Sequence, residues 1–346
     1  MNIASAYVEI TEICNLDCTH CYNRSGRKVT GNYIIANSFA RIINLLQSKG
    51  TTRISLAGGE PLLHPEWDKY MVLFEKTSEI NYSVITNGTI NNPYFIKLCG
   101  SLPNLSVQVS LDGACEDTNS QTRGKGNFKK TVSFIEKLSM ASAKPKVSMT
   151  ISSNNMNEIE NFYKLITTIG GIPFVNFVDC MGNACDNWAG LSLEPQILLL
   201  IIKRIIKLNS LYNLDNKPPY SVFNCPIEKT AEPLSILIKC DGSIQPCQKL
   251  YDTVFILGNI FMFDDDIISH RIDTLREIYS KRQVLSFGCE KCINRSICHK
   301  GCLADVYNYS HEFFGIDGKC VLRRLQTMSF ALTGVKCLQD NSTVMM

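Results

Sequence analysis

A chain of 346 residues, 45% hydrophobic and 19% charged, has the composition of a globular protein long enough for roughly two domains. Its net charge of +3, from 35 Lys+Arg against 32 Asp+Glu, leaves no case for a partner bound through its phosphate backbone, so no nucleic acid is expected. The outlier is a count of 16 cysteines, and a chain this long is not a short secreted disulfide scaffold.

Met1 to Ile10 carries no Lys or Arg and includes Glu9, so it lacks the charged start of a secretory signal. The longest apolar stretch, Ile197 to Ile206, is interrupted by Lys203 and Arg204 and falls short of the ~20 residues of a membrane span. No membrane association is expected. The expected location is the reducing cytoplasm, where clustered cysteines serve metals or redox chemistry.

Taken in chain order, short apolar strands alternate with helical patterns. Tyr7 to Thr11 reads as a strand, followed by a loop with three cysteines and a helix over Ser38 to Gln47. Strand Arg53 to Ala57, helix Glu66 to Ser78 and strand Tyr82 to Thr86 come next, and Pro93 opens a third helix. Strand Leu105 to Ser110, helix Phe128 to Met140, strand Lys146 to Ile151, helix Glu158 to Ile169, strand Phe174 to Asp179 and helix Pro195 to Leu208 complete six β-α units. Such alternation predicts an α/β fold with right-handed crossovers and a parallel sheet. Six units are too few for a closed eight-stranded barrel, so a partial (β/α)6 barrel is expected, with its sites at the C-terminal ends of the strands.

The composition then shifts. Seven cysteines precede residue 223 and nine follow it. The polar, Pro-containing stretch Asn209 to Asn224 marks the break, which divides the chain into residues 1–210, a linker over 211–224, and a cysteine-rich part over 225–346. Leu234 to Lys239 and Ser243 to Cys247 read as a hairpin about Asp241-Gly242, and Cys320 to Thr333 as a late helix.

Just after the first strand, Cys14, Cys18 and Cys21 stand in a C-x3-C-x2-C spacing. Three thiolates in eight residues suit three irons of a [4Fe–4S] cubane and leave the fourth open. The spacing also suits zinc, with a distant ligand such as His20 or His64, or three unligated thiols. At this position, however, the spacing resembles the signature of the radical S-adenosylmethionine (radical SAM) enzymes. Gly58-Gly59-Glu60-Pro61 after the second strand, Thr86-Asn87-Gly88 after the third, Ser110-Leu111-Asp112-Gly113 after the fourth, and Arg123 match that family's pattern in order. The resemblance implies that the open iron is chelated by SAM, whose reductive cleavage yields a 5′-deoxyadenosyl radical that takes a hydrogen atom from substrate. It implies SAM contacts from Gly58, Gly59, Glu60, Ser110 and Arg123, with Asp112 near ribose or substrate. His20 departs from the usual aromatic residue before the third cysteine, and its imidazole is expected near adenine.

In the C-terminal part, Cys225, Gly242-x4-Cys247, Cys289-x2-Cys292-x5-Cys298-x3-Cys302 and Cys320 resemble the SPASM extension of peptide- and protein-modifying members. That resemblance implies two auxiliary [4Fe–4S] clusters. Cys289, Cys292, Cys298 and Cys320 would hold one, and Cys225, Cys247 and Cys302 three irons of the other, with its fourth position open, taken by substrate or taken by Cys240. Zinc sites are the competing reading of the same run. Cys99, Cys115, Cys180, Cys185, Cys240 and Cys337 are left over and read as small buried hydrophobes, except that a thiol at Cys180 or Cys185, after the sixth strand, is placed to donate hydrogen as the family's epimerases require.

The reading is an enzyme that modifies a ribosomally made peptide, by thioether or carbon–carbon cross-linking or epimerisation, with a peptide or protein substrate and an electron donor such as flavodoxin or ferredoxin. The alternatives are a formylglycine-forming sulfatase maturase and a non-catalytic iron–sulfur or zinc protein. With about five residues before the first strand, a leader peptide is expected to bind elsewhere than on an N-terminal recognition domain.

Overall fold

The computed structural model describes residues 1–215, 234–284, 289–295, 298 and 301–333. Strands β1 (Ile3–Thr11), β2 (Arg53–Gly58), β3 (Asn81–Thr86), β4 (Leu105–Ser110), β5 (Lys146–Ile151) and β6 (Ile172–Phe177) lie side by side in sequence order, all parallel. Helices α1 (Ala36–Ser48), α2 (Trp67–Lys76), α3 (Pro93–Ser101), α4 (Glu116–Arg123), α5 (Phe128–Met140) and α6 (Ile159–Thr168) stand between them. Short helices α7 (Asn183–Asp186) and α8 (Trp188–Leu191) follow β6, then α9 (Pro195–Leu211). The partial (β/α)6 barrel expected from the alternation is the fold observed.

Beyond the sixth unit, β7 (Leu234–Ile238), β8 (Ser243–Gln245) and β9 (Gly258–Asn259) precede α10 (Asp265–Val284), α11 (Leu303–Ser310) and α12 (Cys320–Thr333). The hairpin predicted about Asp241-Gly242 forms between β7 and β8, and β7 pairs in parallel with β1. The sheet therefore runs β6-β5-β4-β3-β2-β1-β7-β8-β9. By packing, the chain falls into two compact units, Met1–Ser192 with Pro233–Ile268 and Leu193–Glu232 with Ser269–Met346, where the composition shift describes two consecutive stretches. A local pattern cannot announce that a strand from one end of a chain pairs with a strand from the other.

The helix α4 has no apolar stripe and escaped the periodicity reading; it is a polar segment, EDTNSQTR, held by its position after β4. Strand β6 begins at Ile172, two residues before the expected start, so Asp179 and Cys180 lie in the loop beyond it.

Strict alternation makes the sheet two-faced. Ala6, Val8, Ile10, Ile54, Leu56, Val84, Val107, Val109, Val147, Met149, Ile151 and Val175 are buried on one face. The helices cover that face with Phe39, Ile42 and Leu46 of α1, Tyr70 and Phe74 of α2, Phe134 and Leu138 of α5, and Phe162 and Ile166 of α6, spaced three and four apart. The register lines up the other face as rows: Tyr7, Ser55, Ser83 and Ser106, then Gln108 beside Lys146, then Ser110 beside Ser148. Parallel sheets usually bury both faces in apolar side chains. The serine-rich second face of this sheet departs from that rule.

Candidate active site

The cysteine loop leaves β1 at Thr11 and is fastened to segments that follow β2, β3, β4 and β6. At the β2 end, the Gly59 and Glu60 amides donate to the Thr11 and Ile13 carbonyls at 2.6 and 2.7 Å. A Cβ on Gly58 would lie 2.2 Å from the Thr11 carbonyl oxygen, and one on Gly59 2.1 Å from that of Ile13, while Gly58 has a φ of +125°. The two glycines are thus required by the close approach of the cysteine loop's own backbone. At the β3 end, the Asn87 side-chain amide donates to Asn15 Oδ1 at 2.9 Å, and Asn15 in turn donates to Thr89 Oγ1 at 2.8 Å.

At the β4 end, the Thr19 amide donates to the Thr122 carbonyl at 3.0 Å. At the β6 end, Gly182 lies directly under the Cys21 and Tyr22 carbonyls, where a Cβ would meet their oxygens at 2.3 and 2.2 Å. The Asn183 amide donates to the Cys21 carbonyl at 2.8 Å and its side chain to the Cys18 carbonyl at 3.0 Å; the Asn187 side chain reaches the Thr19 carbonyl at 3.1 Å. Arg24 pairs with Asp186 outside these. Asn15, Asn183 and Asn187 escaped the sequence reading, because an asparagine signals nothing until its partner is known.

Cys14 is buried, and Cys18 and Cys21 are partly so. Burial pushes the Cys14 thiol up to about 11 and the Cys18 thiol up to about 12, and the charge of Arg123 pulls both back down. The three thiols feel one another's charge. Among the described residues no three Cys, His, Asp or Glu side chains already converge as a finished metal shell.

Behind the loop lies a buried ionic hub. Asp112 is fully buried; its Oδ2 lies 2.6 Å from Arg123 Nε and 3.3 Å from His20 Nε2, and its Oδ1 accepts the Thr150 amide at 2.8 Å. Burial alone would raise this carboxyl, but Arg123, His20 and the Thr150 amide outweigh it and hold it below its ordinary value. Asp112 orients Arg123 and His20. Burial lowers the His20 pKa against the pull of Asp112, so the ring is neutral. With Nε2–H facing the carboxylate, Nδ1 is left as a buried acceptor without a hydrogen bond.

Glu60 is 1% exposed and braces two strand ends: its carboxylate accepts from the Leu62 amide, Thr86 Oγ1 at 2.6 Å and the Asn87 amide at 2.7 Å. Burial pushes it up to about 7 despite those bonds. Ser110 ends β4 beside Ser148 on the polar face. His64, the distant ligand a zinc knuckle would borrow, uses both ring nitrogens within its own neighbourhood, facing the Ile34 carbonyl at 2.9 Å and the Glu66 amide at 3.0 Å. That removes it from the zinc reading.

In the second unit, burial raises the Cys320 thiol above its ordinary value, and the Arg323 guanidinium pulls it back down. Arg323 forms a buried pair with Asp317, and Asp317 Oδ2 also accepts the Cys302 amide at 3.1 Å. In the first unit, Cys247 is partly exposed beyond β8. Cys240 donates its thiol to the Glu9 carbonyl at 2.9 Å. Cys225 and Cys337 lie outside the described residues. Of the leftover cysteines, Cys99 is the expected buried hydrophobe, whereas Cys115 is exposed at the start of α4.

The family model described as the Radical SAM superfamily matches residues 8–166, the span from β1 to α6. Residues 8–166 form a radical SAM domain. The protein is 26% identical over 324 residues to the mycofactocin maturase MftC of Mycobacterium ulcerans, covering 90% of this chain and 86% of the relative. It is 28% identical over 303 residues to the sporulation killing factor maturation protein SkfB of Bacillus subtilis, covering 84% and 69%. Among solved structures, Streptococcus suis SuiB bound to S-adenosylmethionine superposes with a TM-score of 0.74 at 15% identity, over 92% of this chain and 77% of that one. Native anSMEcpe with bound AdoMet does so at 0.73 and 18%, over 96% and 98%. The fold is shared through the C-terminal cysteine-rich region, which resembles that of the SPASM maturases. The family carries with it SAM and a [4Fe–4S] cluster. The donor set fits both: soft thiolates for iron, and beside them a guanidinium, a buried imidazole acceptor and a polar sheet face for SAM.

No helix among the described residues is long and apolar enough to cross a membrane.

Proposed function

We propose that this enzyme uses reductive cleavage of SAM to modify a ribosomally made peptide, by cross-linking or by epimerisation. The observation that carries the reading is the junction of the thiol loop with the Asp112–Arg123–His20 hub at the strand ends, above a serine-lined sheet face. Bound together, the cluster and SAM supply one-electron chemistry that removes a hydrogen atom from substrate. Cys14, Cys18 and Cys21 hold the cluster.

The chain's own residues set the geometry. Arg123, held by Asp112, presents a fixed cation to the SAM carboxylate. Glu60 and its glycines hold the β2 end so that backbone carbonyls meet the amino group, and Ser110 lies on the same rim. His20, neutral and with Nδ1 free to accept, suits the adenine amino group. The lumen beyond admits the peptide. Relatives named as maturases of peptide products, and the SuiB structure bound to precursor peptide SuiA, support a peptide substrate.

In the cysteine-rich part, Cys289, Cys292, Cys298 and Cys320 hold one auxiliary [4Fe–4S] cluster, and Cys225, Cys247 and Cys302 a second. The engagement of Cys240 with the Glu9 carbonyl supports an open fourth position on the latter. An electron donor such as flavodoxin or ferredoxin supplies the reducing equivalent. The test is anaerobic: reconstituted protein with SAM and a reductant forms 5′-deoxyadenosine, and absence of the nucleoside from cluster-loaded protein refutes the reading.

A further inference from the structure

Cys180 and Cys185 were expected to be inert thiols or hydrogen donors, yet their sulfurs lie 2.8 Å apart, with Cys180 donating to Cys185. Both are partly exposed. Burial pushes the Cys180 thiol up to about 12, so this thiol rests protonated against its neighbour. Two thiols five residues apart and already in contact need only a small closing movement to bond.

The surrounding segment is not a loose loop. Val178, Ala184 and Leu191 bury themselves together with Trp188 packed against them, and Ser153 binds the Leu191 carbonyl. Between the two cysteines lie Gly182, under the Cys21 and Tyr22 carbonyls, and Asn183, bonded to Cys18 and Cys21. Two of the residues that clamp the cysteine loop, Gly182 and Asn183, are thus enclosed by the two thiols.

We infer that Cys180 and Cys185 form a redox-active pair, closed to a disulfide by exchange with a small-molecule disulfide, whose closure stiffens the clamp on the cysteine loop. The two thiols give two protons and two electrons to the S–S bond of the oxidant, which leaves as two thiols. A ring closed around Gly182 and Asn183 removes open conformations of that segment and holds the Asn183 contacts more firmly. That the clamped loop binds the cluster rests on the proposed function; the pair and the clamp do not.

The cluster-loaded protein is incubated anaerobically with oxidised glutathione, alkylated and mapped by mass spectrometry. The expected product is a 180–185 disulfide, lighter by two hydrogens and reversed by dithiothreitol. Separate glutathione adducts on the two cysteines, or two unreacted thiols, overturn the pair. Amide hydrogen exchange in 18–24 and 182–187 is expected to slow several-fold in the disulfide form, with no such response in Cys180→Ser or Cys185→Ser. Unchanged exchange in a protein shown to carry the disulfide overturns the coupling. Neither measurement needs SAM or a peptide, so a failure here is distinct from a failure to form 5′-deoxyadenosine.

Discussion

The two cysteine groups of this protein are built by opposite means. The N-terminal loop contributes three thiols, and its backbone carbonyls are fastened by Gly59, Glu60, Asn183 and Asn187 from β2 and from the loop beyond β6. Among the described residues of the C-terminal group, Cys289 and Cys292 sit in short turns, Cys302 and Cys320 stand at the starts of α11 and α12, and the buried pair of Asp317 with Arg323 is shared among them. The first is fastened by backbone contacts to several strand ends; the second, among the described residues, is tied together by side-chain contacts around Asp317. That difference matches the tasks proposed for them. A reacting centre gains from preorganisation, whereas a fully ligated structural cluster supplies its own folding energy.

Several changes break or sharpen this contrast. The largest effect is on chemistry: Cys14→Ala is expected to reduce 5′-deoxyadenosine formation to background while iron bound by the C-terminal cysteines persists, read by iron analysis and spectroscopy. Stripping the iron with an anaerobic chelator is expected to expose the Cys289–Cys320 region to limited proteolysis and leave the β1–β6 sheet protected; equal sensitivity in both would erase the contrast.

Arg323→Ala leaves Asp317 buried without its cation and is expected to cost about 3–5 kcal/mol in the stability of the second unit, measured by thermal or denaturant unfolding. The same change in the first unit would be diluted by the many other contacts of the loop.

Glu9 provides a titration inside the scaffolded region. It is buried on β1, where it accepts from Tyr22 and Tyr251 at 2.9 and 3.1 Å. Burial, only partly offset by those tyrosines and Lys239, pushes its carboxyl from 4.5 up to about 7. The folded state therefore keeps a proton that the unfolded chain has released. Stability from this group is full below about pH 4.5 and declines as the pH rises to about 7. Glu9→Gln is expected to flatten that decline, by up to about 3 kcal/mol, in unfolding measured across the window.

The smallest expected effect is that of Asn183→Ala, about 1 kcal/mol for the loss of one side-chain hydrogen bond. Its signature is local: faster amide exchange over Cys18 to Tyr22 with little change in global unfolding.

The alternation of β-α units, the cysteine spacings and the glycine-containing strand ends were all readable from the chain, because each is a local pattern that chemistry fixes within a few residues. Strands β4 and β5 and helix α5 fall where periodicity puts them. Asp112 was legible as a site residue but its partners were not, since nothing local tells a carboxylate that Arg123 and His20 will close over it. The pairing of β7 with β1, the asparagine clamp on the cysteine loop and the contact of Cys180 with Cys185 belong to the tertiary structure. The cysteine spacings and the layered α/β framework were written in the chain itself. What only the folded chain decided is which polar side chains hold those cysteines in place, because a hydrogen bond between residues as distant as Asn183 and Cys18 exists only once the intervening strands have brought them together.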